Sequence, residues 1–140
     1  MAMARVRAVV AALIVSAGLA TLSMASAQQP LGDPNFTGVV TTMDSKDVTA
    51  GRRRFDPGAR TAWHSHDRGQ LLYAESGPMR TGRRGEPFKD YPAGGSEYTG
   101  PNVEHWHGAT PGAPLVQVNI QFGGTTTWLK SITEAEYTGK

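Results

Sequence analysis

Turn signals divide most of this chain into short segments, and this spacing limits the fold more than any other feature of the sequence. Clusters of glycine and proline recur every few residues from position 56 to position 112. Several segments between or beside them alternate in polarity or are rich in β-branched residues: 39–43, 70–76, 95–98 and 115–122. Short strands with regular turns predict an all-β, antiparallel sandwich or barrel.

One helical turn is predicted at the C-terminal end. Residues 132–137 read ITEAEY, with Thr133 in position to act as the N-cap. Glu136 follows three residues later, which is the spacing of a capping box. No segment before residue 131 shows a convincing helical period.

The N-terminal residues are typical of an export signal. Arg5 and Arg7 precede an apolar run at 8–20, and Ala25-Ser26-Ala27 is a small-residue cleavage pattern. We therefore predict a signal peptide over residues 1–27, a single domain over 28–140, and a secreted or periplasmic location. The alternative is a retained membrane anchor, although the apolar run is short for a span of about 20 residues.

Charge and cysteine content exclude several classes of protein. Removal of Arg5 and Arg7 with the signal lowers the 14 Lys and Arg residues to 12, which equals the 12 Asp and Glu residues. A neutral mature chain gives no support for nucleic-acid binding. The chain has no cysteine, so disulfides and thiolate metal sites are excluded.

All four histidines occur in two pairs with the same spacing: His64 and His66 in WHSH, and His105 and His107 in EHWH. Residues two apart on a strand point to the same face, so each pair can direct both rings to one point. Imidazole is the commonest protein ligand for divalent metals of the first transition row. The pattern predicts a metal site, whereas four ordinary, partly buried histidines are the alternative.

The sequence around these pairs resembles the two conserved motifs of the cupin superfamily. Residues 58–77 match the first motif, except that Gln70 replaces the usual glutamate. Residues 100–105 match the second more loosely. Asn102 stands there in place of a glycine, and asparagine is the next best residue for a left-handed turn.

This resemblance covers about residues 36–137 and implies a cupin-type jelly roll, also called a double-stranded β-helix, with a divalent metal at its centre. Gln70 as a ligand would leave the metal's charge uncancelled, because an amide oxygen is neutral. Imidazole with a hard oxygen suits Mn²⁺ or Fe²⁺, which we favour, and also Ni²⁺ or Zn²⁺. The implied metal ligands are His64, His66, Gln70 and His105.

A narrower resemblance is carried by the runs FDPGARTAWHSH, GQLLY, EHWHGATP and TWLKSITEAEY. They are similar to small single-domain bacterial cupins that include the manganese-dependent (R)-selective hydroxynitrile lyases, or mandelonitrile lyase-like cupins. The resemblance implies that His107 moves a proton during catalysis. It also implies that Gln117 and Gln121 face the substrate, although Gln117 replaces a histidine of the lyases.

The arginine run GRRRF at residues 51–55 departs from these relatives. Alternation directs either Arg53, or both Arg52 and Arg54, into the barrel. The resemblance to the lyase-like cupins favours Arg53 as the inward residue. Arg53 would then bind an anionic substrate through its guanidinium. The alternative is a solvated charge run at the barrel rim.

Three functions remain compatible with these residues. The first is a metal-dependent lyase or isomerase acting on a small oxygenated molecule. The second is an Fe²⁺-dependent dioxygenase, and the third is a non-catalytic exported module that binds a metal or small ligand. The expected partner is a small molecule, with neither nucleic acid nor membrane after signal cleavage. The resemblance also implies a homodimer.

Overall fold

The computed structural model describes residues 35–38 and 40–140. By its internal contacts the chain divides into Met1–Thr42 and Met43–Lys140. The predicted signal peptide lies outside the described residues, and so does nearly all of the lead-in before residue 36. In the described part of the chain, no helix is long and apolar enough to cross a membrane.

Met43–Lys140 folds into two antiparallel sheets, so the predicted all-β jelly roll is confirmed. The first sheet has the order β1-β8-β3-β6, and the second has the order β5-β4-β7-β2-β9. The strands are β1 (Thr49–Phe55), β2 (His64–His66), β3 (Gln70–Ser76), β4 (Met79–Arg83), β5 (Lys89–Tyr91), β6 (Ser96–Thr99), β7 (His105–Ala109), β8 (Leu115–Gln121) and β9 (Thr126–Trp128), followed by helix α1 (Glu134–Thr138).

Three of the four predicted strand segments are present. The prediction over 70–76 matches β3, and those over 95–98 and 115–122 match β6 and β8 to within one residue. The prediction of a strand over 39–43 is wrong for residues 40–43, which are exposed and adopt no strand. Their β-branched content favours an extended backbone, but a strand also needs a neighbouring strand as a hydrogen-bond partner.

Strand β8 shows that the barrel interior is partly polar. Its buried residues are Leu115, Gln117 and Asn119, whereas the intervening Val116 and Val118 are half-buried on the opposite face. Two apolar clusters form the rest of the core. The first contains Leu72, Ala74, Met79, Ala109 and Leu115, and the second contains Trp63, Trp106, Ile132 and Tyr137.

The C-terminal helix and one turn follow the sequence prediction closely. Thr133 is the N-cap of α1: its hydroxyl accepts from the Glu136 amide at 3.2 Å, and the Glu136 carboxylate accepts from the Thr133 amide at 2.8 Å. Asn102 has a φ of 60°, so it adopts the predicted left-handed conformation. Both features depend on local sequence, which explains why a pattern of a few residues predicts them.

Candidate metal centre and cavity

A cavity of about 160 Å³ lies at the place where the two histidine pairs meet. Side chains from both sheets and from the segment before β2 surround it. Its lining residues are Arg53, Thr61, His64, His66, Gln70, His107, Gln121 and Trp128.

Strands β2 and β7 bring three histidines together. His64 pairs directly with His105 across the two strands, and their ring centroids are 4.2 Å apart. His66 lies two residues beyond His64 on the same face, with its ring 5.5 Å from that of His105. One ring nitrogen from each of the three lies within 4.8 Å of the others. These three histidines could hold a metal ion.

Hydrogen bonds to carbonyl groups fix the orientation of two rings. His64 Nδ1 donates to the Ala62 carbonyl at 2.9 Å, and His105 Nδ1 donates to the Val103 carbonyl at 3.0 Å. A carbonyl oxygen only accepts, so the proton of each neutral ring is on Nδ1 and the lone pair is on Nε2. A ring whose Nδ1 donates to a backbone carbonyl, which leaves Nε2 for the ion, is typical of metal-binding histidines.

The third ring has a buried nitrogen with no partner. His66 Nδ1 lies 3.0 Å from the Thr126 hydroxyl, which can accept its proton. His66 Nε2 is then a lone pair, buried and without a hydrogen-bond partner among the described residues. An unpartnered buried polar atom is costly, and a cation at this position would remove the cost.

Gln70 adds an oxygen from the opposite sheet. Its side chain on β3 is buried, and its Oε1 lies 3.0 Å from His105 Nε2. Both atoms carry lone pairs when His105 is protonated on Nδ1, so they would repel each other without a cation. The donor set of His64, His66, Gln70 and His105 therefore fits a divalent metal.

Burial keeps these histidines neutral. It is the main cause that lowers the pKa of His64 and of His66. Burial, followed by the charge of His64, lowers the pKa of His105 to about 3. Only the neutral ring binds a metal, so burial prepares the site for binding at neutral pH.

His107 lies beside the other three histidines, but it is not one of those whose ring nitrogens converge. Its ring centroid is 5.2 Å from that of His64 and 6.0 Å from that of His105. Burial, followed by the charges of the neighbouring histidines, lowers its pKa well below 6.5. Its Nδ1 is buried and has no partner among the described residues, so the ring is free to exchange a proton.

The arginine run is divided between the two faces of β1. Arg52 pairs with Glu75 and Arg54 pairs with Asp56, both outside the cavity. Arg53 lines the cavity, and its Nη1 donates to Asn119 Oδ1 at 2.8 Å. The geometry thus places the middle arginine on the cavity side, where it is also exposed to solvent.

The two predicted glutamines have different positions. Gln121 lines the cavity and pairs with Gln70 across β3 and β8. Gln117 is buried with its Nε2 3.0 Å from Met79 Sδ, and it is not among the residues that line the cavity. Its contact with a substrate stays a prediction, and its side chain lies outside the set that lines the cavity.

Sequence reasoning missed three residues at or beside the cavity. Asn119 occupies the inward position between Gln117 and Gln121, so strand alternation would have identified it. The Trp128 ring is tilted against the His64 ring, with their centroids 4.8 Å apart. Trp128 is on the short strand β9, which carries little periodic signal. Thr61 accepts from the His107 amide at 3.1 Å, and nothing in the sequence marks it.

Comparison with known proteins identifies the family, although no family model matches. A cupin-like protein from Thermotoga maritima is 39% identical, with a TM-score of 0.63, over 66% of this chain and 72% of that protein. The chain belongs to the cupin family. This cupin is also similar to an (R)-mandelonitrile lyase from Granulicella tundricola, with 35% identity over 86 residues. That match covers 59% of this chain and 66% of the lyase.

More distant structures agree with the fold of this cupin. An oxalate decarboxylase from Bacillus subtilis has a TM-score of 0.53 and 23% identity over 61% of this chain and 24% of that protein. At that level of identity the similarity concerns the architecture. The roles of the following residues remain predictions: His64, His66, Gln70, His105, His107, Arg53, Gln117 and Gln121.

Proposed function

We propose that this cupin is a metal-dependent enzyme, of the lyase type, that acts on a small oxygenated molecule bound in the histidine cavity. The observation that carries the proposal is the convergence of three imidazole lone pairs and one amide oxygen beside a fourth, free histidine. A purely structural cluster would satisfy those lone pairs with protein donors.

The predicted ligands determine what a bound metal would contribute. A divalent ion, Mn²⁺ or Fe²⁺ by preference, would act as a Lewis acid toward a substrate oxygen. Three neutral histidines and Gln70 cancel none of its charge, which favours that role.

His107 supplies the proton transfer in this proposal. Its ring lines the same cavity as the ligands and is neutral at physiological pH, so it can accept a proton from a substrate hydroxyl. Gln121, on the cavity wall, orients the substrate.

The similarity to (R)-mandelonitrile lyase supports a lyase and suggests the first compound to test. Mandelonitrile is an oxygenated small molecule with a hydroxyl group and a nitrile. Because the match covers less than two thirds of that lyase, the reaction is proposed for this cupin and the substrate is left to the assay.

The test combines metal analysis with a rate measurement on three forms of the protein, purified without chelator. We expect wild type to carry nearly one Mn, Fe, Ni or Zn per chain and Gln70→Ala to carry clearly less. We expect His107→Ala to keep the metal and lose about 10²- to 10⁴-fold in mandelonitrile cleavage, the usual contribution of a general acid or base.

Other outcomes would redirect or overturn the proposal. Iron with uptake of oxygen during turnover would favour a dioxygenase. If His107→Ala kept both the metal and the full rate, His107 would have no catalytic role. A metal-loaded wild type without turnover would favour a binding module. No metal in wild type after reconstitution would overturn the metal centre.

We also propose that the protein is exported. The support is the pattern of arginines, apolar residues and small residues over 1–27. The expected result is a mature protein that begins at Gln28, measured by mass spectrometry of the exported fraction. An intact N-terminus there would contradict cleavage.

A further inference from the structure

We propose that Arg53 selects substrates that carry a carboxylate next to the oxygen that faces the metal ligands, as in small 2-hydroxy and 2-keto acids. This inference rests on the proposed function of the same cavity and names its substrate class. Four observations on Arg53 and its surroundings carry it.

The first observation is that Arg53 lacks a carboxylate partner. The described part of the chain contains eight arginines, and seven of them form ion pairs with Asp or Glu: Arg52, Arg54, Arg60, Arg68, Arg80, Arg83 and Arg84. Arg53 is the exception, and its two neighbours on β1 are both paired. The acidic residues near β1 thus pair with the outward arginines and leave the cavity-side Arg53, which is also exposed to solvent, without a carboxylate partner.

The second observation is the charge of the cavity. No Asp or Glu is among the residues that line it. Arg53 contributes one positive charge, and a divalent metal on the predicted neutral ligands would add two. A partly enclosed cavity with this excess of positive charge attracts anions more strongly than neutral ligands.

The third observation is that the guanidinium is held in place with donors to spare. Arg53 Nη1 donates to Asn119 Oδ1 at 2.8 Å. A guanidinium has five N–H donors, so others remain to bind both oxygens of a carboxylate. The Asn119 contact fixes the orientation of the fork, which lowers the entropy cost of that binding.

The fourth observation is the room made for this contact by Gly51. A Cβ atom at Gly51 would lie 2.8 Å from Asn119 Oδ1 and 3.4 Å from Arg53 Nη1. Any larger residue at position 51 would therefore displace the asparagine that holds the arginine.

The test measures equilibrium binding of lactate and of lactamide, which have nearly the same shape and differ in charge. Titration calorimetry would be done on the metal-loaded and metal-free protein. We expect wild type to bind lactate at least ten times more tightly than lactamide. Arg53→Gln should weaken lactate binding by ten- to a hundredfold and leave lactamide binding nearly unchanged.

Matched variants separate Arg53 from a general effect of surface charge. Arg52→Gln removes a neighbouring positive charge on the outer face and should leave lactate binding unchanged. Arg53→Lys keeps the positive charge but lacks the two-pronged guanidinium, and it should lose an intermediate amount of lactate affinity. Gly51→Ala retains Arg53 but displaces Asn119, and it should also lose an intermediate amount. Thermal melts and metal content for each variant verify folding and the metal centre.

Several results would overturn this inference. One is equal affinity of wild type for lactate and lactamide. Another is a loss of lactate affinity in Arg52→Gln as large as that in Arg53→Gln. A third is an equal weakening of lactate and lactamide binding in Arg53→Gln. Failure of the proposed function is seen separately. A protein that turns over no substrate, yet binds lactate through Arg53, would refute catalysis and retain the carboxylate site.

Discussion

At the scale of single residues, the four histidines make the stability of the metal-free protein depend on pH. Each has a lowered pKa, with burial as the main cause, and the pKa of His105 falls to about 3. In the unfolded chain a histidine titrates near pH 6.5. Below that pH the unfolded state binds more protons than the folded state, so acid favours unfolding.

We therefore expect the melting temperature of the metal-free protein to fall as the pH drops from 7 toward 4. Scanning calorimetry at several pH values would measure it. His105→Asn, which removes one of the buried titrating rings, should give a shallower dependence over the same range. A wild-type melting temperature that does not change between pH 7 and 4 would contradict the burial of neutral histidines.

At the scale of elements, helix α1 has only five residues and depends on its cap and on one buried side chain. A helix this short is unstable alone. Tyr137 is buried, and its hydroxyl donates to the Ala109 carbonyl at 2.7 Å, which anchors the helix to β7. The Thr133 and Glu136 capping box satisfies the amides at its start.

Thr133→Ala should lower the free energy of unfolding by about 1 kcal/mol, since the N-cap acceptor is lost. Urea denaturation would measure this loss, and Thr133→Ser, which keeps the hydroxyl, should unfold close to wild type. Metal content should be unchanged in both variants. A loss in Thr133→Ser as large as that in Thr133→Ala would show that the methyl group matters and the cap does not.

At the scale of the whole molecule, the predicted metal ligands come from both sheets. His64, His66 and His105 belong to the five-stranded sheet, and Gln70 belongs to the four-stranded one. A metal that binds only the folded protein stabilises it by about 2.7 kcal/mol when its free concentration is 100 times its dissociation constant.

Removal of the metal with a chelator should therefore lower the melting temperature by about 10 °C or more. Melting curves with and without chelator would measure this, and restoring the metal should recover the original value. Gln70→Ala should show a smaller shift, because it lacks the ligand from the second sheet. If a metal-loaded wild type melted at the same temperature after removal of the metal, the metal would have no role in joining the sheets.

Much of the fold and part of the site follow from local sequence. Strand β3, the cap at Thr133 and the left-handed Asn102 depend on interactions over a few residues, and all three agree with prediction. The pairing of histidines on common faces follows from the two-residue period of a strand. Residues 40–43 show the limit, because extended propensity does not create a partner strand.

Tertiary structure decided which of the candidate residues meet. The register that pairs His64 with His105 places His105 among the converging nitrogens and leaves His107 beside them. Alternation alone left two options for the arginine run. The β1–β8 register sets Gly51 opposite Asn119, and Arg53, two residues along the same face, reaches the Asn119 side chain. Gln117 and Gln121 share a face, yet only Gln121 lines the cavity. The sequence by itself determined the residue types and their faces, whereas register and sheet curvature, which depend on contacts far apart in the chain, determined the distances between them.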